Sequence, residues 1–174
     1  MGEPLLHLVC GPTGAGKTTH SLALAEDIGA VRFSIDEWMT ALFWGDSPQP
    51  IDPEWAMARV ERCYAQIWAV ARQVATLGTP CVLDLGFTTM QSRQRFMELA
   101  RAGGFLARLH FVDVPAEERW RRVERRNAQD GATRQLEFAV TREMFNFIES
   151  LWEPPSSAEM QACDGVVANS PAAR

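Results

Sequence analysis

Residues 5–28 constrain the fold more than any other part of the 174-residue chain. The apolar run LLHLVC (5–10) has the length and composition of a buried strand, and the apolar residues of 17–28 recur at helical spacing. Between them, GPTGAGKT (11–18) matches the pattern G-x-x-x-x-G-K-[ST] in full. Because this motif requires a preceding strand and a following helix, the segment predicts a strand–loop–helix unit that binds phosphate groups.

The residue types of this loop suit a bound nucleotide. Glycines let the backbone turn with its N–H groups pointing at phosphate oxygens, and the following helix adds the partial positive charge of its N-terminus. Lys17 is expected to reach the β- and γ-phosphates, and the Thr18 hydroxyl to ligate magnesium. The predicted phosphate-binding residues are Gly11, Pro12, Thr13, Gly14, Ala15, Gly16, Lys17, Thr18 and Thr19.

The rest of the chain alternates β-rich runs with helical patterns. Further strands are predicted at 30–35, 80–86, 107–114 and 164–170, and helices at 17–28, 37–43, 53–77, 89–102, 115–129 and 135–152. The Pro-rich segment 44–52 is predicted as a loop, and 153–165 as a connector. This alternation predicts an α/β fold, a three-layer α/β/α sandwich with a five-stranded, mainly parallel sheet. One domain is expected over residues 1–170, followed by a short tail at 171–174.

Composition narrows the class of protein. A content of 47% hydrophobic residues is ample for one buried core, and the formal net charge of −5 argues against a nucleic-acid partner. No apolar run reaches the roughly 20 residues of a membrane span, and the N-terminus is not expected to be a signal peptide. The cysteines lack metal-ligand spacing, which indicates free thiols and a cytoplasmic protein: Cys10, Cys63, Cys81 and Cys163. His7, His20 and His110 share no spacing and are predicted to be structural.

Two other uses of a bound nucleotide fit the sequence poorly. A GTPase switch needs an NKxD guanine motif after a strand, and the nearest match, NAQD (127–130), lacks the lysine and falls in a predicted helix. A motor ATPase usually needs a larger core and an arginine supplied by a partner. Charged residues instead follow the predicted strands, as ligand-binding residues do in open α/β sheets. Asp36 follows the second strand and Asp84 lies near the end of the third.

Five arginines lie within eight residues of the predicted helix at 115–129: Arg119, Arg121, Arg122, Arg125 and Arg126. Part of this helix reads as a solvated face, because Glu117–Arg121 and Glu118–Arg122 are i,i+4 ion pairs. Cations still outnumber the neighbouring glutamates, which suits a grip on phosphate. Arg122 with Arg126 and Arg121 with Arg125 are equally spaced pairs that could supply this grip.

In these motifs the chain resembles P-loop kinases of the group that includes zeta-toxin-like kinases, chloramphenicol phosphotransferase and 5′-hydroxyl polynucleotide kinases, which are AAA-type ATP-binding proteins. The resemblance spans, in order, 11–18, SIDE (34–37), VLDLGFTTMQSRQR (82–95) and DVPAEERWRRVERRN (113–127). It implies that Asp36 is the base toward an acceptor hydroxyl and that Asp84 supports magnesium or substrate. It also implies that the arginine-rich segment, about 115–134, is a lid that clamps the transferring phosphoryl group, and it favours Arg122 and Arg126 for that role.

Several residues allow a second interpretation. Asp36 could instead cap a helix beginning at Glu37, which is itself an alternative base, and Asp84 could cap a turn at the strand end. Trp38 belongs to an aromatic-rich patch that could be core packing or an acceptor pocket. Arg93 and its neighbour Arg95 could reach an acceptor or be solvated.

The sequence thus predicts an ATP- and magnesium-dependent kinase that phosphorylates a hydroxyl of a small-molecule or nucleotide-type acceptor. Its predicted catalytic residues are Lys17, Asp36, Arg122 and Arg126, its metal ligands Thr18 and Asp84, and its substrate contacts Asp36, Trp38 and Arg93. The alternatives are a regulatory ATPase without a phosphate acceptor and a 5′-hydroxyl polynucleotide kinase. A zeta-type toxin is the most specific form of the kinase hypothesis, and the oligomeric state is not predicted.

Overall fold

Five parallel strands form one sheet in the computed structural model, which describes residues 5–128 and 140–168. The strands are β1 (Leu6–Cys10), β2 (Val31–Ser34), β3 (Cys81–Asp84), β4 (Ala107–Val112) and β5 (Val166–Ala168). Their order across the sheet is β2-β3-β1-β4-β5, and every adjacent pair is parallel. The predicted α/β class with a five-stranded sheet is confirmed, and the sheet is wholly parallel over these residues.

Seven helices and one 3₁₀ turn lie between the strands within the described residues. They are α1 (Lys17–Ile28), α2 (Ile35–Phe43), the 3₁₀ turn (Trp44–Asp46), α3 (Pro53–Thr76), α4 (Met90–Ala102), α5 (Ala116–Asn127), α6 (Arg142–Leu151) and α7 (Ser157–Ala162). Local chemistry explains the sharpest boundaries. Asp52 caps α3 by accepting from the backbone N–H groups of Glu54 and Trp55, and Pro53 takes the first helical position.

Side chains of alternate residues separate the two faces of the sheet. In β1, Leu6, Leu8 and Cys10 join the core that packs under α3 and α4, while Val9 joins a smaller cluster that includes α1 residues. This period of two follows from the pleat of a strand, and burial of both faces is what a parallel sheet requires. The three-layer α/β/α arrangement of the prediction is therefore confirmed.

Three predicted boundaries are wrong. Helix α2 begins at Ile35 rather than at 37, because the Ser34 hydroxyl accepts from the Glu37 backbone N–H and caps the helix two residues earlier. Helix α6 begins at Arg142, capped by Thr141, so the prediction that it starts at 135 does not hold at residues 140 and 141. The connector 153–165 contains the short helix α7, capped by Ser156.

Some segments of the predicted domain lie outside the residues that the structure describes. These parts are 1–4 and 169–174 at the ends of the chain and 129–139, which contains 129–134 of the predicted lid and 135–139 of the predicted helix. Among the described residues, no helix is both long enough and apolar enough to cross a bilayer.

Candidate functional site

The loop 11–16 leaves the carboxyl end of β1, which lies between β3 and β4 near the middle of the sheet. Close packing on two sides fixes its shape. A Cβ on Gly11 would lie 2.7 Å from the Val112 carbonyl oxygen at the end of β4. Gly14 has a φ of +78°, and a Cβ there would lie 2.7 Å from the Arg119 carbonyl oxygen of α5. Both positions therefore exclude any residue larger than glycine, and α5 packs directly on the loop.

Lys17 folds back over this loop. Its Nζ donates to the Pro12 carbonyl oxygen at 3.2 Å, so the ammonium lies inside the curve that the backbone makes. Burial lowers the pKa of Lys17, while the carboxylates of Asp84 and Asp36 act in the opposite direction. The lysine, the loop and the two predicted acidic residues therefore share one region at the carboxyl edge of the sheet.

Asp36 lies in the first turn of α2 and does not cap it, since Ser34 has that role. The side chain keeps contact with solvent, but protein atoms crowd it on the other sides. This partial desolvation and the nearby Asp84 carboxylate raise the pKa of Asp36, whereas Lys17, Arg126 and Arg32 lower it. A carboxylate with a raised pKa, open to solvent and close to a phosphate-binding lysine, has the properties of a general base.

Asp84 is buried at the end of β3 and is held by two donors. Its Oδ2 accepts from Arg32 Nη2 at 2.9 Å and from the Ser21 hydroxyl at 3.0 Å. The same hydroxyl, which has a single hydrogen to donate, also lies 3.0 Å from the Thr18 carbonyl oxygen, so Ser21 lies between the two predicted metal ligands. Burial of this carboxylate is tolerated because it is paired and hydrogen-bonded.

Thr18 and Asp84, the two predicted metal ligands, carry oxygen donors of the kind that magnesium prefers. A hydroxyl and a carboxylate are hard oxygen ligands, and both bonds to Asp84 fall on Oδ2. Within the described ranges no group of three or more acidic, histidine or cysteine side chains could hold a metal ion. A magnesium ion here would therefore be bound by few protein ligands together with nucleotide phosphates, as is usual for this ion.

The arginines of α5 divide into two groups. Arg121 and Arg125 are exposed. Arg119 is buried and is committed to structure, since it donates to Val114 O at 2.8 Å, to Thr13 O at 3.2 Å and to both carboxylate oxygens of Glu149 at 2.7 Å. It fastens α5 to the loop and to α6.

Arg122 and Arg126 point toward the site in different ways. Arg122 donates to the Ala15 carbonyl oxygen at 3.1 Å and pairs with Glu118. Arg126 has a buried Nη2 that finds no hydrogen-bond partner among the residues the structure describes. Burial lowers the pKa of Arg126, and the Asp36 carboxylate opposes this. An unsatisfied guanidinium nitrogen on the helix that packs against the phosphate loop is suited to an incoming anion.

The predicted substrate contact of Arg93 is corrected by the structure. Arg93 is fully buried and donates to both Glu159 oxygens at 2.6 and 3.1 Å, to Glu153 O at 2.8 Å and to Phe87 O at 3.2 Å. Phe87 has a φ of +43°, a costly conformation for a bulky residue. Arg93 therefore holds the strained turn after β3, and its guanidinium is not available to a substrate.

The aromatic patch of α2 packs mainly on the core. Trp38, Met39 and Phe43 are partly buried against the larger core cluster, and the Trp38 ring lies 6.5 Å from the Phe33 ring. Of the two interpretations left open by the sequence, core packing is the one that these contacts support for Trp38. Arg95 pairs with Glu61 at 2.7 Å on an exposed surface.

The three histidines, distant in sequence, form one hydrogen-bonded row. His7 Nδ1 lies 3.0 Å from His110 Nε2, and His110 Nδ1 lies 3.2 Å from His20 Nε2. Burial, with the neighbouring His7 and His20, lowers the pKa of His110 to about 3. The row joins β1, β4 and the first turns of α1 under the phosphate loop, and its members have partners that no sequence spacing indicated.

Two residues of the site were missed in the sequence. Arg32 and Ser21 organise Asp84, yet neither belongs to a recognised motif. The signal for the α2 cap was present, because Ser34 and Glu37 have the S-x-x-E spacing of a capping box. Recognising it would have moved the helix start and excluded Asp36 as the cap.

A glycine-rich loop that runs from the central strand of a parallel sheet into a helix, with a lysine over its carbonyl groups, defines a P-loop NTPase domain. A family model described as an AAA domain matches residues 6–151, so the chain belongs to that family. As a member of a P-loop NTPase family, it is a nucleotide-binding protein. No curated protein matches the chain by sequence.

Solved structures share the fold at low identity. Kti12 from Chaetomium thermophilum in complex with ADP-AlF3 is similar with a TM-score of 0.70 and 15% identity, over 95% of this chain and 89% of that one. A gluconokinase from Sinorhizobium meliloti 1021 has a TM-score of 0.65 and 16% identity, over 98% and 85%. A chain of the Pnkp1/Rnl/Hen1 RNA repair complex has a TM-score of 0.66 and 19% identity, over 87% of this chain but 45% of its own length. At these identities the likeness shows a shared fold and leaves both the activity and the substrate open.

Proposed function

We propose that this protein is an ATP- and magnesium-dependent phosphotransferase that moves the γ-phosphate of ATP to a hydroxyl of a small-molecule or nucleotide-type acceptor. The observation that carries the proposal is Asp36. Its carboxylate is open to solvent, does not cap its helix, and lies near enough to Lys17 and Arg126 for their positive charges to lower its pKa, against the burial and the Asp84 charge that raise it. In this position the carboxylate is suited to accept the proton of an acceptor hydroxyl.

Each residue has a defined task in this reaction. The loop N–H groups and Lys17 hold the β- and γ-phosphates, and Asp36 accepts the proton of the acceptor hydroxyl as its oxygen bonds to phosphorus. Arg126 offers its unpaired N–H to the phosphoryl group as negative charge spreads over the equatorial oxygens. Magnesium, held by Thr18, Asp84 and the phosphates, would neutralise charge on the triphosphate.

The deciding experiment measures acceptor-dependent transfer. Purified protein is incubated with ATP, magnesium and a panel of alcohols, sugars, nucleosides and 5′-hydroxyl oligonucleotides, and products that gain a phosphoryl group are detected by mass. We expect transfer to one acceptor class, reduced about 100-fold or more in Asp36→Asn. Asp27→Asn, the same change at an exposed position near the far end of α1, should transfer at the wild-type rate.

The two arginines of α5 give a second comparison. Arg126→Met should lower the transfer rate by about 100-fold, because it removes the donor that faces the phosphoryl group. Arg125→Met removes an equal charge from the exposed face and should change the rate less than twofold. Equal losses in both variants would mean that α5 acts only through its net charge.

A second candidate is ATP hydrolysis without an acceptor, which the family of the chain and its nucleotide-binding loop also allow. It predicts that no acceptor raises ATP turnover above the basal rate and that Asp36→Asn leaves that rate unchanged. The kinase proposal would then be wrong, although nucleotide binding by the loop would stand.

A further inference from the structure

The guanidinium of Arg32 contacts three elements beside the phosphate loop. From β2, its Nε donates to Ser21 Oγ of α1 at 2.8 Å, its Nη2 to Asp84 Oδ2 of β3 at 2.9 Å and its Nη1 to Glu37 Oε1 of α2 at 2.6 Å. The side chains of Arg32 and Asp84 are 9% and 7% exposed. The bond to Asp84 is strong because it is shielded from water, whereas the bond to Glu37 is weaker because the Glu37 side chain is 65% exposed. The planar fork fixes the directions of all three bonds.

This contact set bears directly on Asp36. Helix α2 begins at Ile35, immediately after β2 ends at Ser34, so no loop separates Arg32 from the turn that carries Asp36. Ser34 pairs in register with Asp84 on β3, and its hydroxyl caps α2 through the Glu37 N–H. The bond from Arg32 to the Glu37 carboxylate therefore holds the same turn from its other side.

We propose that Arg32 is a positioning residue, which fixes the first turn of α2 against Asp84 and α1 so that Asp36 faces the phosphate loop. In this role Arg32 acts through Asp36 and is not itself a catalytic group. Its three donors join three elements, and a lysine, with a single nitrogen on a flexible stem, cannot reproduce this arrangement. The arginine also neutralises Asp84, a carboxylate that would otherwise act on Asp36 with full charge. Its effect on turnover rests on the proposed function, whereas the geometric role does not.

The test combines variants of Arg32 with a matched control. Arg32→Met and Arg32→Lys break the contact set, and Glu37→Gln weakens only the arm to α2 at an exposed position. Arg72→Met removes the same charge from the exposed surface of α3, next to Ala71, whose carbonyl accepts from Cys81 at the amino end of β3. That end of the strand is opposite the phosphate loop, so Arg72→Met should behave as wild type.

Three quantities are measured for each variant. ATP affinity shows whether the phosphate loop is intact, and the turnover number measures phosphoryl transfer. The ¹⁹F signal of 5-fluorotryptophan at Trp38 measures the position of α2, because Trp38 lies two residues beyond Asp36. The chain has six tryptophans, so Trp38→Phe assigns the signal. We expect both Arg32 variants to bind ATP within about threefold of wild type, to lose about 30- to 100-fold in turnover and to shift the Trp38 signal. Glu37→Gln should show a smaller loss in the same direction.

The outcomes separate this proposal from the kinase proposal. Arg32→Lys with turnover within threefold of wild type, or with an unchanged Trp38 signal, overturns the positioning role. If Arg32→Met does not fold, Arg32→Lys and Glu37→Gln decide, and wild-type behaviour in both also overturns it. If the wild-type protein transfers phosphate to no acceptor, the proposed function fails, while the Trp38 signal still decides whether Arg32 positions α2.

Discussion

Acidification should destabilise the folded protein through the buried row of histidines. His110 lies between His7 and His20 at 3.0 and 3.2 Å, and burial lowers its pKa from 6.5 to about 3. His110 therefore binds a proton near pH 6.5 in the unfolded chain but only near pH 3 in the folded chain. The contribution of His110 is complete above pH 6.5 and is lost progressively as the pH falls toward 3.

The size of this loss of stability follows from the linkage between proton binding and unfolding. Between pH 7.5 and 5.0, a histidine with an unfolded pKa of 6.5 and a folded value far below the range costs about 2 kcal/mol of unfolding free energy. His110→Gln removes the titrating group and keeps an amide that can hydrogen-bond to a neighbour. The unfolding free energy of wild type minus that of His110→Gln should therefore fall by about 2 kcal/mol over this range.

Urea unfolding at pH 7.5, 6.5, 5.5 and 5.0 measures this difference, and contributions from other titrating groups common to both proteins cancel. The same series on His20→Gln should show a smaller fall, because His20 is less buried and Asp84 opposes the lowering of its pKa. Parallel pH curves for wild type and His110→Gln would refute the reasoning, since they would mean that His110 titrates alike in both states.

Three further substitutions test the packing of the phosphate loop, the ion pair between α5 and α6, and the buried arginine at the turn after β3. Gly14→Ala should weaken ATP binding about tenfold or more, measured by calorimetry, because its Cβ would meet a backbone oxygen at 2.7 Å. Gly29→Ala, also at positive φ but with nothing within 4 Å, should leave ATP binding unchanged. Arg119→Met should cost about 2 to 3 kcal/mol in urea unfolding, because it breaks a largely buried ion pair, against about 0 to 1 for the exposed Arg95→Met. Arg93→Met should lower the unfolding free energy by about 3 kcal/mol or more, since it leaves buried acceptors unpaired; a loss under about 1 kcal/mol would contradict its structural role.

The parts of the fold that the sequence predicted are those with local causes. The loop, α1 and α3 follow from the spacing of glycines, from Asp52 and Pro53, and from apolar periodicity, all within a few residues of the element concerned. Strand order and the two faces follow from the pleat and from the rules of parallel sheets. The start of α2 could also have been predicted, from the capping-box spacing at Ser34.

What the sequence could not predict depends on contacts between distant residues. His7 and His110 are 103 positions apart, Arg93 and Glu159 are 66 apart, and Arg32 and Asp84 are 52 apart. No local sequence pattern distinguishes an arginine whose guanidinium is buried and fully hydrogen-bonded within the protein from one whose guanidinium binds a phosphate. For this reason Arg93 was assigned to the substrate and Arg32 was overlooked.

The contacts of its arginines also show how α5, the helix of the predicted lid, is attached to the phosphate loop. In α5, Arg119 is bonded to the loop at Thr13, Arg122 is bonded to it at Ala15, and Gly14 packs on the helix backbone. A helix tied to the loop at three successive residues cannot swing over the nucleotide as a body without breaking these contacts. Arg126 lies one turn further on, and its buried Nη2 has no hydrogen-bond partner among the described residues. We therefore expect Arg126 to adjust to the nucleotide by its side chain, against a helix that is already docked. Arg119→Met removes one of the three ties between α5 and the loop and should weaken ATP binding in calorimetry.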